Sequence, residues 1–156
     1  MRHSDYLAHV RDVLAQLDEA LRWLNRSYRI CSRIGVKPDY TEDECDAFEA
    51  LTSRFARTSD ILLQQVYRSI DVVELEDQGV MLDRLNRAEK RGLMQSIDEA
   101  RSIRELRNSI AHEYIHDQLV TLFHDVLAWT PRLIVLIETA QHYCHRYETP
   151  PPPGAS

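Results

Sequence analysis

Four side chains that can act on a phosphodiester lie in one short segment, residues 107–114, called here the motif segment: Arg107, Asn108, His112 and Tyr114. The guanidinium of Arg107 can hold a phosphate through a planar fork of donors. The imidazole of His112 can take up or release a proton near neutral pH. An anchored phosphate and a group that moves protons are two parts of an RNA-cleaving site, so this segment is the first candidate site.

The helical spacing of the motif segment decides which of its side chains can meet. Asn108 and His112 are four residues apart and share one face of a helix, whereas Arg107 and His112 are separated by roughly 140° around the axis. One straight helix therefore cannot direct Arg107 and His112 at the same phosphate. Either the helix bends here, or two copies of the chain meet and form one cleft together. The second option predicts a homodimer.

Charge sets a limit on the kind of nucleic-acid site the chain can carry. The net charge of −6 and the pI of about 5.6 argue against a generally basic surface for duplex nucleic acid. Arg101, Arg104 and Arg107 follow one another at a spacing of three and form a local cationic ridge. We therefore expect Arg101 and Arg104 to contact RNA beside the motif segment.

Composition indicates one globular domain in a reducing compartment. The chain has 156 residues, of which 44% are hydrophobic and 28% charged. Cys31, Cys45 and Cys144 are widely spaced without a CxxC pair, which argues against a disulfide framework or a structural zinc site. Residues 1–5 precede no apolar leader, and no run of about 18 apolar residues is present. These features predict a cytoplasmic protein without a membrane partner.

The first half of the chain predicts two long amphipathic helices. Apolar residues recur at spacings of three and four from Leu7 to Cys31, with Ser4 as a candidate N-cap and Gly35 near the end. Residues 41–44 form a capping box that begins a second long helix. Its apolar positions are Phe48, Leu51, Phe55, Leu62, Val66, Ile70 and Val73.

The second half predicts a short third helix, the motif helix and a last helical hairpin. The third helix covers about residues 81–91 and is stopped by Gly92. The motif helix covers about residues 96–113. In the hairpin, Thr130 as N-cap and Pro131 at the first helical position start a new helix, with a kinked single helix as the alternative. The inward residues of the third helix are Leu82, Leu85 and Ala88, and those of the motif helix are Ile103, Leu106 and Ile110.

This succession of helices predicts an all-α fold, an antiparallel bundle of four to five helices over residues 1–148. Residues 149–156 contain four consecutive prolines and predict an extended or disordered tail.

The motif segment resembles the signature of the HEPN superfamily (higher eukaryote and prokaryote nucleotide-binding), and more narrowly the Arg-x4-His-x-Tyr motif of HepT-like toxins. Residues 83–90 before it and 127–133 after it also look like the bacterial branch of that family. The resemblance covers the chain from the first helix to about Tyr147.

The resemblance implies a dimeric helical bundle that acts as a metal-independent endoribonuclease toxin without a cofactor, on an RNA such as tRNA or mRNA. Carried over, Arg107 stabilises charge on the phosphate, His112 is the general acid or base, and Asn108 orients His112 or the phosphate. Tyr114 matches the tyrosine that a minimal nucleotidyltransferase antitoxin modifies with AMP. The family also contains members that bind partners or nucleotides without cleaving RNA, so a non-catalytic subunit of a nucleotidyltransferase is the alternative.

Other interpretations of the same residues stay open at this point. Residues 112–116 also spell HExxH, in which His112 and His116 can bind zinc; the charged residue that follows and the lack of a spaced third ligand argue against it. His142, Cys144 and His145 form a second candidate metal cluster, but we assign no metal ligand. Arg107 can also simply pair with a nearby carboxylate.

Overall fold

The structure is a computed structural model that describes residues 3–76, 78–112 and 116–148, with the backbone alone at 116 and 117. It is 86% helical, and no strand is found in these ranges. The all-α prediction is therefore confirmed. The helices are α1 His3–Ile34, α2 Glu42–Asp60, α3 Tyr67–Val73, α4 Met81–Lys90, α5 Ile97–His112 and α6 His116–Cys144, with a π-helical segment Ile61–Val66 between α2 and α3 and a short 3-10 helix His145–Tyr147.

Helix α1 buries one apolar face and exposes the other. It already includes His3, so Ser4 lies inside the first turn and the prediction of Ser4 as N-cap is wrong. The helix ends at Ile34, before Gly35 with φ +80°, as the sequence predicted. Its inward residues are Val10, Val13, Leu17, Ala20, Leu21, Leu24 and Cys31.

Helix α2, the π-helical segment and α3 follow one another without interruption, which confirms the second long helix. Thr41 caps it: its side-chain oxygen accepts from the Glu44 N–H at 3.2 Å, and its own N–H donates to the Glu44 carboxylate at 3.0 Å. This reciprocal capping box was predicted. The chain leaves α3 at Glu74 and turns at Leu75, which has φ +60°.

Helix α4 is held at its start by Asp83, whose carboxylate accepts from the Val80 N–H at 2.8 Å. Gly79, at φ +94°, leaves room for that carboxylate, since a Cβ there would lie 2.3 Å from the Asp83 Oδ2. Leu85 and Ala88 are buried, as predicted, but Leu82 is 43% exposed. The prediction for Leu82 is wrong because Met81, at spacing four before Leu85, completes the inward face instead.

Helix α6 passes through Pro131 without a break, so the predicted hairpin with a new helix at Thr130 is wrong. Thr130 does not cap a helix, because it is buried and its Oγ1 donates to the Val126 carbonyl at 2.6 Å. That bond keeps a polar hydroxyl satisfied within a continuous helix. Pro131 lies on the exposed side, where water can bind a carbonyl that has lost its helical donor.

One helical stretch, Gln118–Tyr147, is long and apolar enough to cross a membrane by length and composition, with a mean hydropathy of 1.5. Several of its apolar side chains pack into the bundle instead, including Phe123, Val126, Leu133 and Ile137. In its most apolar window 39% is buried inside the bundle, and core helices meet the same length and composition criterion.

Side-chain contacts between helices fix their directions. Helix α2 is antiparallel to α1, because Arg54 donates to Ser27 whereas Cys31, one turn further along α1, contacts the carbonyl of the earlier α2 residue Ala47. Helix α6 is also antiparallel to α1, since Gln141 donates to Asp18 and His124 contacts the Lys37 carbonyl. The largest fully buried side chains are Tyr67, Phe48, Phe55 and Phe123.

The three cysteines are free. Burial raises the pKa of the Cys31 thiol to about 11 and that of the Cys144 thiol to about 12. Thiols shifted in this direction are poor nucleophiles near neutral pH, so these cysteines behave as packing residues.

Candidate active site on helix α5

Helix α5 separates its candidate residues from its packing residues. Ala100, Ile103 and Leu106 are buried, and Ile110 is half-buried. The exposed face carries the side chains that the sequence singled out, which are Arg101, Arg104, Asn108 and His112. The predicted helix, its inward stripe and its polar face therefore agree with the structure over Ile97–His112.

Arg107 does not share that exposed face but turns towards α2, where Asp60 receives it. The Arg107 Nε donates to the Asp60 Oδ1 at 2.8 Å, and its Nη2 donates to Oδ2 at 2.9 Å. The two side chains are 30% and 31% exposed. This hydrogen bonding with Asp60 raises the pKa of Arg107 further, so the guanidinium is permanently charged.

The Asp60 contact has two opposite effects on Arg107 as a phosphate ligand. It fixes the guanidinium in one orientation, because a bidentate pair fixes both position and plane. It also supplies a negative charge that partly neutralises the arginine. The Arg107 Nη1 has no hydrogen bond within the part of the chain that the structure describes, so its two N–H groups remain to contact an incoming anion.

Asp60 is the site residue that sequence reasoning missed. The motif pattern named only the α5 side chains, and the carboxylates near Arg107 that the sequence offered as its partner were Glu105, Glu113 or another acidic residue. A signal was present, because Asp60 is a charged residue directly before the apolar run Ile61, Leu62 and Leu63. A carboxylate at such a position needs a cationic or hydrogen-bonded partner when it is half-buried.

Within one chain the structure does not gather the motif residues into one cleft. Asn108 and His112 are exposed on a face of α5 that Arg107 does not share, which agrees with the angular separation that the spacing predicted. Among the described residues the His112 imidazole has no hydrogen-bond partner, so its ring is open to solvent. Tyr114 lies outside the described residues.

The cationic ridge predicted from Arg101, Arg104 and Arg107 is present only in part, because Arg107 turns to Asp60 and leaves Arg101 and Arg104 on the exposed face. Both are exposed, and neither forms an ion pair with any residue in the described ranges. Their charges are therefore accessible to an anionic partner on the same helix as His112, although the protein as a whole is acidic.

The candidate metal sites look different in the structure. The His142 and His145 rings are 5.6 Å apart, but Cys144 between them is fully buried. In the described ranges, no group of three or more His, Cys, Asp and Glu side chains is arranged to hold a metal ion. The HExxH alternative falls partly outside those ranges, at Glu113 and the side chain of His116.

A second acid–arginine cluster, which no sequence motif indicated, lies where α3 meets α4. Asp71, only 1% exposed, accepts from the Arg87 Nη2 at 2.9 Å and from the Arg91 Nη1. Arg91 also donates from Nε to Glu74 at 2.5 Å and from Nη2 to Glu76 at 3.1 Å. These five side chains, called here the α3–α4 cluster, tie the end of one helix to the next.

The α3–α4 cluster also holds the C-terminal end of the bundle. Glu74 accepts from the Tyr143 hydroxyl at 2.5 Å and from the Tyr147 hydroxyl at 2.7 Å. Partial burial acts to raise the pKa of Glu74, but these two hydrogen bonds and the Arg91 charge outweigh it, and the pKa is lowered. The carboxylate is thus stabilised in its charged form by groups from α4, α6 and the segment after it.

Comparison with known proteins adds no family assignment: no family model, curated protein or solved structure matches the chain.

Proposed function

We propose that this protein is a metal-independent endoribonuclease of the HEPN type, a toxin that acts in the cytoplasm as a homodimer. The observation that carries the proposal is the state of Arg107: Asp60 holds its guanidinium by two nitrogens, and the third has no partner among the described residues. A guanidinium that is fixed, charged and still able to donate is suited to contact a phosphate. Asn108 and His112 supply polar and proton-transfer groups on the same helix.

The proposed reaction needs only groups of the protein and the RNA. His112 removes the proton from a ribose 2′-OH, whose oxygen attacks the adjacent phosphorus. The bond from phosphorus to the 5′-oxygen breaks, and that oxygen receives a proton. The products are a 2′,3′-cyclic phosphate and a free 5′-hydroxyl. Arg107 offsets the charge that develops on the phosphoryl oxygens, and Asn108 orients His112 or the phosphate.

The homodimer follows from the separation of Arg107 and His112 on one helix. A two-fold axis places the same patch of both copies against each other. The cleft between the copies then contains Arg107 and His112 from each of them. His112 of one copy then serves as the base and His112 of the other copy as the acid. A single chain cannot provide this pair. The ridge of Arg101 and Arg104 holds the RNA strand on either side of that cleft.

Control by an antitoxin is the regulatory part of the proposal. A minimal nucleotidyltransferase transfers AMP from ATP to the hydroxyl of Tyr114, two residues after His112, and releases pyrophosphate; the added phosphate competes for Arg107. The measurement is intact mass after incubation with ATP and a minimal nucleotidyltransferase of this class. An AMP-sized increase that persists in Tyr114→Phe would place the modification elsewhere.

A non-catalytic subunit of a nucleotidyltransferase is the second candidate function. Asp60 favours it, because a carboxylate already paired with Arg107 resists the approach of a second anion. In that case the exposed face of α5 contacts a protein or a nucleotide and no RNA is cleaved.

The test is cleavage of a mixed tRNA and mRNA pool by the purified protein in excess EDTA, with wild type, His112→Ala and His142→Ala side by side. His142 is an exposed histidine on another helix and serves as the matched control. We expect EDTA-resistant cleavage by wild type and His142→Ala, and a loss of about 100-fold or more in His112→Ala. Cleavage by His112→Ala at the wild-type rate contradicts the catalytic assignment, and no cleavage by unmodified wild type favours the non-catalytic subunit.

Mixed dimers test whether the cleft is shared between copies. Arg107→Ala and His112→Ala are each expected to be inactive as homodimers. Because the proposed cleft uses His112 of one copy as base and His112 of the other as acid, a purified mixed dimer of wild type and His112→Ala should fall far below about half of the wild-type rate. A rate of about half that of wild type would show that each copy works alone.

A further inference from the structure

A second concave surface lies between α1 and α2, away from the motif segment. It encloses about 440 Å³, within the range of small-ligand pockets. Two features set it apart from the rest of this acidic surface, namely an exposed indole and two adjacent arginines of α2. Its lining residues are Glu19, Ala20, Trp23, Arg54, Arg57 and Thr58, and it is called here the Trp23 pocket.

The indole of Trp23 is held in place although it is 40% exposed. Its Nε1 donates to the Glu19 carboxylate at 3.0 Å. The guanidinium of Arg54 lies 5.1 Å from the ring centroid and that of Arg22 lies 5.3 Å away. The oriented indole and the guanidinium groups that lie over it together form a surface on which a nucleobase can stack, because bases stack on aromatic rings and on guanidinium planes alike.

The two arginines of the pocket are in different states. Arg54 is committed to the fold, since its Nη1 donates to the Ser27 hydroxyl at 2.6 Å and to the Trp23 carbonyl at 3.4 Å. Arg57 is exposed and forms no ion pair with any described residue. The Glu19 carboxylate accepts from the indole Nε1, so its negative charge disfavours a phosphate at that edge of the ring. A phosphate is therefore expected on the Arg57 side of the pocket.

The position of Arg57 connects this pocket with the candidate active site. Arg57 precedes Asp60 by one helical turn, a rise of about 4.5 Å along α2. Asp60 is the residue that holds Arg107. An RNA strand bound along the exposed side of α2 would therefore extend from the Trp23 pocket to Arg107, the residue proposed to contact the scissile phosphate.

From this arrangement we propose that the Trp23 pocket is a subsite for one nucleotide of single-stranded RNA, with the base against Trp23 and its phosphate at Arg57. The inference rests on the proposed ribonuclease function for its choice of ligand. Stacking on an aromatic ring tolerates any base, so the subsite adds affinity and a fixed path more than sequence preference.

A second tryptophan–arginine pair provides a matched control. The Arg132 guanidinium lies 4.5 Å from the Trp129 ring centroid on α6. The surface beside it includes the carboxylates of Asp98 and Glu99, which repel a phosphate. The two sites therefore share an aromatic ring and a guanidinium but differ in the charge that surrounds them.

The experiment is binding of a fluorescently labelled 2′-O-methyl RNA octamer, which lacks the attacking hydroxyl and cannot be cleaved. Its anisotropy is followed with wild type, Trp23→Ala, Trp23→Phe, Arg57→Gln and Trp129→Ala at several salt concentrations. We expect about 10-fold weaker binding by Trp23→Ala and near-normal binding by Trp23→Phe. Arg57→Gln should lose several-fold and lower the salt slope by about one, and Trp129→Ala should bind like wild type.

The outcomes separate this inference from the proposed function. Unchanged binding in Trp23→Ala and Arg57→Gln overturns the subsite, even if wild type cleaves RNA. An equal loss in Trp129→Ala also overturns it, because any exposed indole would then suffice. Selective loss at Trp23 and Arg57 supports the subsite even if wild type cleaves no RNA in EDTA, and in that case only the ribonuclease assignment fails.

Discussion

The chain pairs arginine with aspartate in two places, and the two pairs leave the arginine in different chemical states. At the candidate site, Arg107 meets Asp60 at a half-exposed contact that uses two of its nitrogens. In the α3–α4 cluster, all three nitrogens of Arg91 donate to carboxylates, and its main partner Asp71 is buried. The unused donor, more than the presence of an ion pair, distinguishes an arginine that can bind a ligand from one that holds the fold together.

The burial of the two aspartates distinguishes the two pairs in the same way. Asp71 accepts on both oxygens from two different arginines and is removed from water, so neither arginine can leave without exposing a costly buried charge. Asp60 keeps about a third of its surface in solvent, which screens the loss of its partner. A substitution at each aspartate therefore tests the contrast directly.

The largest expected effect is on stability, at Asp71. Asp71→Ala should lower the free energy of unfolding by about 3–5 kcal/mol, because Arg87 and Arg91 lose their buried counter-charge. Urea denaturation followed by far-UV circular dichroism measures the change. A loss below about 1 kcal/mol would show that water reaches the α3–α4 cluster and that the cluster does not hold the two helices together.

A smaller effect, which depends on pH, is expected at Glu74. Because the folded state lowers the pKa of Glu74, its contribution to stability is present above the unfolded pKa of about 4.3 and is lost as the pH falls through the folded value. Glu74→Gln should cost about 1–2 kcal/mol near pH 7. The free energies of unfolding of wild type and Glu74→Gln should converge as the pH falls from 7 to 3. A difference that stays constant over this range would assign the effect to packing.

The smallest stability effect is expected at Asp60. Asp60→Asn should change the free energy of unfolding by less than about 1 kcal/mol, since the pair is partly exposed. RNA cleavage should nevertheless fall, because the amide cannot hold the Arg107 fork in one plane. Parallel measurement of unfolding and cleavage separates the two effects, and a stability loss as large as that of Asp71→Ala would remove the contrast between the two pairs.

Local patterns predicted the helices well and the side-chain partners less well. The capping box at Thr41, the stop at Gly92 and the inward stripe of α5 depend on neighbouring residues, so the sequence alone predicts them. The helix start predicted at Thr130 and Pro131 was wrong because Pro131 lies on the exposed side of α6, where water can bind the carbonyl that has lost its helical donor. The Thr130 hydroxyl donates to the Val126 carbonyl within the continuous helix and so does not act as an N-cap.

The candidate site likewise has one part that the sequence predicted and one part that it did not. Spacing predicted that Arg107 would turn away from Asn108 and His112, because that angle is a property of any α-helix. It did not predict Asp60, which is 47 residues away in sequence and reaches Arg107 only through the packing of α2 on α5. The α3–α4 cluster was missed for the same reason, since its members come from different elements and form no local motif.

The π-helical segment Ile61–Val66 has a consequence for everything that follows it. A π-helical turn holds one residue more than an α-helical turn, so residues beyond it are offset by about 100° from an uninterrupted α-helix. Asp60 lies directly before this offset and Asp71 lies after it. The continuous helix of α2, the π-helical segment and α3 thereby directs Asp60 towards α5 and Asp71 towards α4. Deletion of one residue within the segment would leave Asp60 in place but rotate Asp71 away from Arg87 and Arg91.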